Sequence, residues 1–151
     1  TLAIHSNDPP SNEGLIYISS LFANDDYVSF ETMNIQSLQI SSLSEYNTIF
    51  MINIKNFSTG FINELASAVS NGTSVVFFPE TDINPVRNNT FLSAFGADLI
   101  TAIDSTGQRI SGIDFNNRFF ANVFNEIREN AVLPEIGSHL KFEENTRSDV
   151  N

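Results

Sequence analysis

A strand–helix–strand pattern in the middle of the chain constrains the fold most strongly. The run Thr48–Ile54 is almost entirely apolar, which is typical of a strand covered on both faces. Ser58 is placed to cap the helix that follows, and Asn71-Gly72 supplies the left-handed residue at which helices often end. The run Thr73–Phe78 then predicts a second buried strand. The stripe that this helix is predicted to bury comprises Phe61, Ile62, Leu65, Ala66 and Val69. The pattern therefore predicts a βαβ unit within a parallel sheet.

The same alternation of strands and helices continues on both sides of this unit. Before it, the patterns predict a strand over Leu2–His5, a helix over Glu13–Ala23 and a half-exposed strand near the sheet edge over Tyr27–Ile35. The remaining predictions are a helical turn within Leu38–Tyr46, a helix over Asn88–Phe95 ended by Gly96, strands over Ala97–Ile103, Gln108–Ile110 and His139–Phe142, and a helix over Asn117–Arg128. Together they predict a three-layer, doubly wound, mostly parallel α/β sheet.

Length and charge limit the classes of protein to which the chain can belong. Its 151 residues predict a single α/β domain over residues 1–143, followed by a flexible polar tail over residues 144–151. Acidic residues outnumber basic ones by 18 to 7, and the net charge of -11 opposes binding to nucleic acid or to an anionic membrane surface. With no cysteine, the chain has neither disulfides nor thiolate chemistry.

Two features of the sequence concern its cellular context. No apolar run approaches the roughly 20 residues that cross a bilayer as a helix. The chain opens on Thr1 rather than methionine, so we expect either a processed protein or a piece of a longer one.

Polar side chains follow three of the predicted strands. The candidate crevice residues are His5 and Asn7 after the first strand, Asn53 and Lys55 after the central strand, and Glu80 after the next. Because the carboxyl ends of parallel strands meet at one edge of a sheet, these side chains are expected to converge on a ligand-binding crevice. The competing interpretation is that His5 only finishes a strand and that Lys55 is only solvated. Motifs for nucleotides and zinc do not occur, so no cofactor is predicted.

The loop after the first strand also allows a catalytic interpretation. His5, Asp8 and Glu13 combine an imidazole with two carboxylates, which is the chemistry of a divalent-metal site or a general base. The structural alternative is that Asp8 and the prolines after it only shape a turn. A metal-dependent or other hydrolase that uses this loop is therefore the second functional hypothesis.

The turn after the strand Thr73–Phe78 carries no nucleophile. In hydrolases of related architecture, a strand-to-helix elbow presents serine or cysteine between glycines. Here the corresponding residues are Pro79, Glu80 and Thr81, with no glycine, serine or cysteine at the elbow. Catalysis by an elbow nucleophile is therefore not expected.

Two stretches of the chain carry a resemblance to a known family. The first runs from Asn12-Glu13-Gly14-Leu15 to Tyr27 and continues through residues 46–49 and 58–60 to the segment 69–79, and the second comprises Asn117–Phe124 followed by Leu133-Pro134. Together they resemble the extracytoplasmic class I glutamine amidotransferase-like domain of BatA-like, aerotolerance-regulator-type bacterial membrane proteins. The resemblance implies a flavodoxin-like sheet, a membrane-anchored parent protein and a periplasmic location. The family's catalytic cysteine has no counterpart, and His139 is followed by Leu140 and Lys141 instead of completing the family's His-x-Glu pair.

The leading functional prediction is a non-enzymatic binding or protein-interaction domain. Its expected partners are other envelope proteins or a small ligand, and not nucleic acid. A third hypothesis is a structural spacer that makes contacts through an apolar helix face formed by Phe119, Phe120 and Phe124, although burial against the sheet explains these side chains better.

Overall fold

The computed structural model describes residues 1–6, 13–80, 84–113 and 132–143, which belong to two compact units, Thr1–Phe95 and Gly96–Asn151. The elements of the first unit are β1 (Leu2–His5), α1 (Glu13–Phe22), β2 (Glu31–Asn34), a 3₁₀ helix (Ile40–Glu45), β3 (Thr48–Ile52), α2 (Thr59–Ser70), β4 (Ser74–Phe78) and α3 (Pro85–Ala94). Those of the second unit are β5 (Leu99–Asp104), β6 (Gln108–Arg109), β7 (Glu135–Ile136) and β8 (His139–Glu143).

Four parallel strands form the sheet of the first unit in the order β2-β1-β3-β4. Leu2 lies between Glu31 of β2 and Ile49 of β3, and the same register continues to His5, which pairs with Asn34 and Ile52. This is an α/β architecture with an all-parallel sheet flanked by helices, and it is consistent at a coarse level with the flavodoxin-like fold expected from the sequence. The strand order reverses between β1 and β3, which is where such sheets open a crevice.

Both faces of this sheet carry an apolar core. On one face, the buried residues Ala3 and Ile52 pack with Ile18 of α1. On the other face, the buried residues are Leu2, Ile4, Leu43, Ile49, Met51, Ile54, Phe61, Leu65, Ala68 and Phe91, which come from the strands, the 3₁₀ helix, α2 and α3. Successive strand residues point to opposite faces, so the near-continuous apolar runs of β1 and β3 supply both cores at once.

Helix α2 begins and ends with the predicted caps, but it buries a different stripe. The Ser58 side chain accepts a hydrogen bond from the Phe61 backbone N–H, and Gly72 takes the left-handed conformation with φ of 105°. Within the helix, Ala68 is buried, whereas Val69, predicted to be buried, is exposed. The prediction was wrong at this position because the apolar sequence is broad enough to allow more than one rotation of the helix about its axis.

Two strands differ from their predictions in burial or length. The run Thr73–Phe78 was predicted to be a buried strand, but Val76 and Phe78, which lie on one face of β4, are exposed; within the described ranges β4 is an edge strand that pairs with β3. β2 spans only Glu31–Asn34 of the predicted Tyr27–Ile35, and it lies at the opposite edge, as predicted.

The second unit is described by two small antiparallel sheets, β5 with β8 and β6 with β7. The Lys141 ammonium lies 2.7 Å from a carboxylate oxygen of Asp104, and this contact, helped by hydrogen bonds from Thr106, holds the pKa of Asp104 well below its usual range. β7 was not predicted from the sequence, whereas β6, also of two residues, lies within the predicted strand Gln108–Ile110. The predicted helix over Asn117–Arg128 and the predicted tail over residues 144–151 lie outside the described residues. The single domain predicted over residues 1–143 stays a prediction.

Candidate functional site

A cavity of about 420 Å³ opens at the carboxyl edge of the parallel sheet. It lies beside the ends of β1, β2 and β3 and the beginning of α2, which is the position where ligands bind in open α/β sheets. Its lining residues are Ser6, Ile35, Gln36, Ile40, Ile54, Lys55, Asn56, Ser58 and Phe61. The wall therefore combines amide and hydroxyl groups with an apolar surface.

The amino end of α2 gives one side of the cavity a partial positive charge. The first N–H groups of an α-helix have no acceptor within the helix, and the helix dipole places its positive end there. In α2, the Ser58 Oγ takes one of these groups, the Phe61 N–H, at 3.1 Å. The helix has no acidic residue in its first turn, and no lining residue is acidic. The cavity thus suits a ligand that presents hydrogen-bond acceptors to α2.

Ser6 supplies a polar group that its described neighbours leave unsatisfied. Its Oγ is fully buried and has no hydrogen-bond partner among the residues that the structure describes. The neighbouring His5 imidazole contacts the backbone of Ser6: its Nδ1 lies 3.0 Å from the Ser6 carbonyl oxygen. A buried hydroxyl without a partner is costly, which makes Ser6 a candidate for contact with a ligand that enters the cavity.

The structure brings two of the predicted crevice residues into direct contact. The Lys55 Nζ lies 3.1 Å from the Glu80 Oε1, with the Glu80 side chain largely covered and that of Lys55 about half exposed. Arg87 of α3 donates from Nη1 to the Lys55 carbonyl oxygen at 3.0 Å. Lys55 lines the cavity and Glu80 does not, so the ion pair ties the cavity wall to the end of β4.

Asn53 and His5 lie at the predicted strand ends but do not line the cavity. Asn53 has φ of 53°, a left-handed conformation that asparagine tolerates better than most residues, and its N–H donates to the Phe78 carbonyl oxygen at 2.9 Å. Its described contact is therefore structural, since it carries the β3–β4 pairing one residue beyond the strand. Asn7 lies outside the described residues.

The alternative metal site falls largely outside the described residues. Asp8 is one of the undescribed residues, and nothing is described of the Glu13 side chain. Within the described ranges, no three histidine or carboxylate side chains lie close enough together to hold a metal ion. The prediction of a site formed by His5, Asp8 and Glu13 stays a prediction.

None of the candidate crevice residues predicted from the sequence came from the end of β2, which also contributes to the cavity wall. Ile35 and Gln36 follow β2, and Ile40 opens the 3₁₀ helix beyond them. The sequence contained a signal for these residues, because β2 was predicted as a strand and the residues after its carboxyl end would lie at the same edge of the sheet as those after β1 and β3. What the sequence lacked was the strand order, which places β2 next to β1.

At the other end of the strands, away from the cavity, side-chain hydrogen bonds join the amino ends of β2, β3 and β4. The Tyr46 hydroxyl donates to the Glu31 Oε2 at 2.9 Å, and the Thr73 hydroxyl donates to the Tyr46 carbonyl oxygen at 2.8 Å. The hydrogen bond to the Glu31 carboxylate, with some burial, raises the pKa of Tyr46 above its ordinary value.

Among the described residues, no helix has the length and apolar character needed to cross a membrane.

Comparison with known proteins adds no relative. No protein-family model, curated protein or solved structure matches this chain.

Proposed function

We propose that the first unit is a non-enzymatic binding module that holds a small, uncharged or weakly anionic polar ligand in the cavity at the carboxyl edge of its sheet. The observation that carries this proposal is the position of the cavity, at the reversal of strand order and beside the amino end of α2. A volume of about 420 Å³ suits a metabolite-sized molecule.

The side chains that line the cavity favour binding over covalent chemistry. Activation of a serine nucleophile needs a base within hydrogen-bonding reach. Ser58 is already engaged as the cap of α2, and the His5 imidazole lies against the Ser6 carbonyl oxygen. The Lys55 ammonium lies 3.1 Å from the Glu80 carboxylate, a contact that holds the side chain at the cavity wall. These contacts support a role in recognition.

The cellular setting of this module follows the resemblance noted in the sequence. We place it in the extracytoplasmic part of a larger, membrane-anchored bacterial protein of the BatA-like, glutamine amidotransferase-like type, where its partners are a small ligand or other envelope proteins. Localisation of the full-length protein in its native cells tests this part, by cell fractionation and protease accessibility from the periplasmic side. Recovery in the cytosolic fraction would contradict it.

A thermal-shift screen tests ligand binding directly. The panel contains glutamine and related amides, sugars, nucleotides and divalent metals. A ligand at about 100 times its Kd stabilises the folded state by roughly 2.7 kcal/mol, which raises Tm by on the order of 5–10 °C for a chain of this size. A protein that responds to no member of the panel would count against the proposal.

A matched pair of variants then locates the site. Gln36→Ala removes a lining amide, whereas Gln39→Ala removes an exposed glutamine that does not line the cavity. We expect Gln36→Ala to weaken the response to the active ligand and Gln39→Ala to preserve it. An equal response in the two variants would place binding elsewhere.

A further inference from the structure

Helix α1 presents an unusually apolar face to solvent. Ile16, Tyr17 and Leu21 are 65%, 72% and 70% exposed, and Tyr27, beyond the end of the helix, is 99% exposed. These four residues are named here the α1 patch; Ile16, Tyr17 and Leu21 lie outside the helix stripe of Leu15, Ile18 and Phe22, which packs toward the sheet. A concentration of large exposed apolar side chains on one short segment is typical of interaction sites.

A shallow depression of about 450 Å³ adjoins the patch and brings acidic groups beside it. It is lined by Ser20, Leu21, Asn24, Asp25, Asp26 and Tyr27. The Tyr27 N–H donates to the Asp25 Oδ1 at 2.8 Å, which closes the turn that holds this aromatic residue next to the two carboxylates. Both aspartates are exposed.

The charged side chains that line the depression are acidic. The first 54 residues of the chain contain no lysine or arginine, and the net charge of the chain is -11. A surface that combines apolar side chains with exposed carboxylates complements a partner that combines apolar side chains with cations.

We propose that the α1 patch is a docking surface for a protein segment that carries an apolar stripe and at least one lysine or arginine. The apolar side chains of that segment pack against Ile16, Tyr17 and Leu21. Its cation enters the adjoining depression, where it meets the carboxylates of Asp25 and Asp26, and the Tyr27 ring adds a cation–π contact. A second copy of this chain is a poor occupant, because self-association through α1 would bring acidic groups together in a chain with a net charge of -11.

Two designed peptides probe the proposal. One is an amphipathic helix of about 20 residues built from leucine and lysine, and the other has glutamate in place of every lysine. We expect the leucine–lysine peptide to bind the intact chain and the leucine–glutamate peptide not to bind. Isothermal titration calorimetry at low and moderate salt measures both affinities, and the affinity of the basic peptide should fall as salt rises. Equal binding of the two peptides would overturn the charge complementarity.

The apolar part is tested with a matched control on another helix. The double variant Tyr17→Ser/Leu21→Ser should weaken binding of the basic peptide by about tenfold or more. Val86→Ser removes a side chain of α3 that is 79% exposed and lies outside the patch, and it should leave the affinity unchanged. Circular dichroism and thermal melts establish that the variants fold. An affinity unaffected by the double variant would overturn the proposal.

The acidic part needs a control of equal charge. Asp25→Asn/Asp26→Asn and Glu45→Gln/Glu143→Gln each remove two negative charges, but Glu45 and Glu143 do not line the depression. Asparagine at position 25 retains an oxygen that can accept the Tyr27 N–H. Only the aspartate variant should lose affinity. Equal losses would assign the binding to net charge and overturn the docking site.

The remaining occupants are separated by two further measurements. Sedimentation of the protein alone should show a monomer. Self-association that the double variant Tyr17→Ser/Leu21→Ser abolishes would identify a second copy of the chain as the occupant and overturn the proposal. Anionic lipid vesicles should not bind the protein, and binding that the same double variant removes would identify a membrane surface instead.

Discussion

Helices α1 and α2 flank the same parallel sheet but differ in what they present to solvent. α2 buries Phe61, Leu65 and Ala68, and most of its exposed positions are polar or glycine. α1 packs Leu15, Ile18 and Phe22 toward the sheet and still exposes three large apolar side chains on its other side. The apolar content of α2 is therefore explained mainly by folding, whereas that of α1 exceeds what its contact with the sheet requires.

The largest expected effect separates a buried leucine in α2 from an exposed leucine in α1. Leu65 is fully buried, and Leu65→Ala should lower the free energy of unfolding by about 2–5 kcal/mol, because it removes buried methyl groups and leaves a cavity. Leu21→Ala should change it by less than about 0.5 kcal/mol. Chemical denaturation of both variants measures the difference. A comparable loss in Leu21→Ala would mean that the outer face of α1 is needed for folding.

The cap of α2 gives the next expected effect. Ser58→Ala removes the acceptor of the Phe61 N–H and should lower the free energy of unfolding by about 1 kcal/mol. Ser58→Asp keeps an acceptor at this position and serves as the control, with stability near that of the original chain. Since Ser58 also lines the cavity, the thermal response to a ligand should be measured on both variants. Equal stability of the alanine and aspartate variants would remove the capping interpretation.

Two glycines at equivalent positions in α1 and α2 are expected to differ in their effect on stability when each is replaced by alanine. Gly14 and Gly60 are each the second residue of their helix. A Cβ at position 60 would meet the Ile40 Cδ1 at 3.8 Å, an ordinary contact, whereas a Cβ at position 14 would meet the Ile52 Cγ2 at 3.2 Å. Gly60→Ala should therefore raise the free energy of unfolding by a few tenths to about 1 kcal/mol, since alanine favours the helix. Gly14→Ala should give a smaller gain or a loss.

Thermal melts of the two glycine variants in parallel measure this difference. A larger gain for Gly14→Ala than for Gly60→Ala would show that α1 shifts easily on the sheet. In that case the packing of α1 would be looser than the contact between Gly14 and Ile52 indicates.

Much of the fold of the first unit was accessible from the sequence. The caps at Ser58 and Gly72 act locally, so the sequence predicted both ends of α2. The rotation of α2 was not accessible, because Ala68 and Val69 are both apolar and packing against the sheet decides which of them is buried. The exposure of β4 was hidden for a related reason, since its apolar run has the composition of a covered strand while its position is at the sheet edge.

One of the five candidate crevice residues, Lys55, lines the cavity. Strand ends indicated the carboxyl edge, and Lys55 lines the cavity there. The ion pair between Lys55 and Glu80 joins residues whose strands are adjacent, so it follows once β3 and β4 pair. Gln36 was not among the candidates, because its place beside the cavity depends on strand order and not on any local pattern.

Local periodicity, caps and charge were enough to predict most helices and strands of the first unit, the parallel character of the central βαβ unit and the acidic composition of the chain. Packing between separate elements sets the strand order, the side of each helix that is buried, the set of residues around the cavity and the exposure of the α1 patch. The two groups of features differ in the distance along the chain over which the responsible contacts act. Periodicity acts over one or two turns of a helix, whereas a cavity wall and a buried face are made by residues that meet only when separate elements pack.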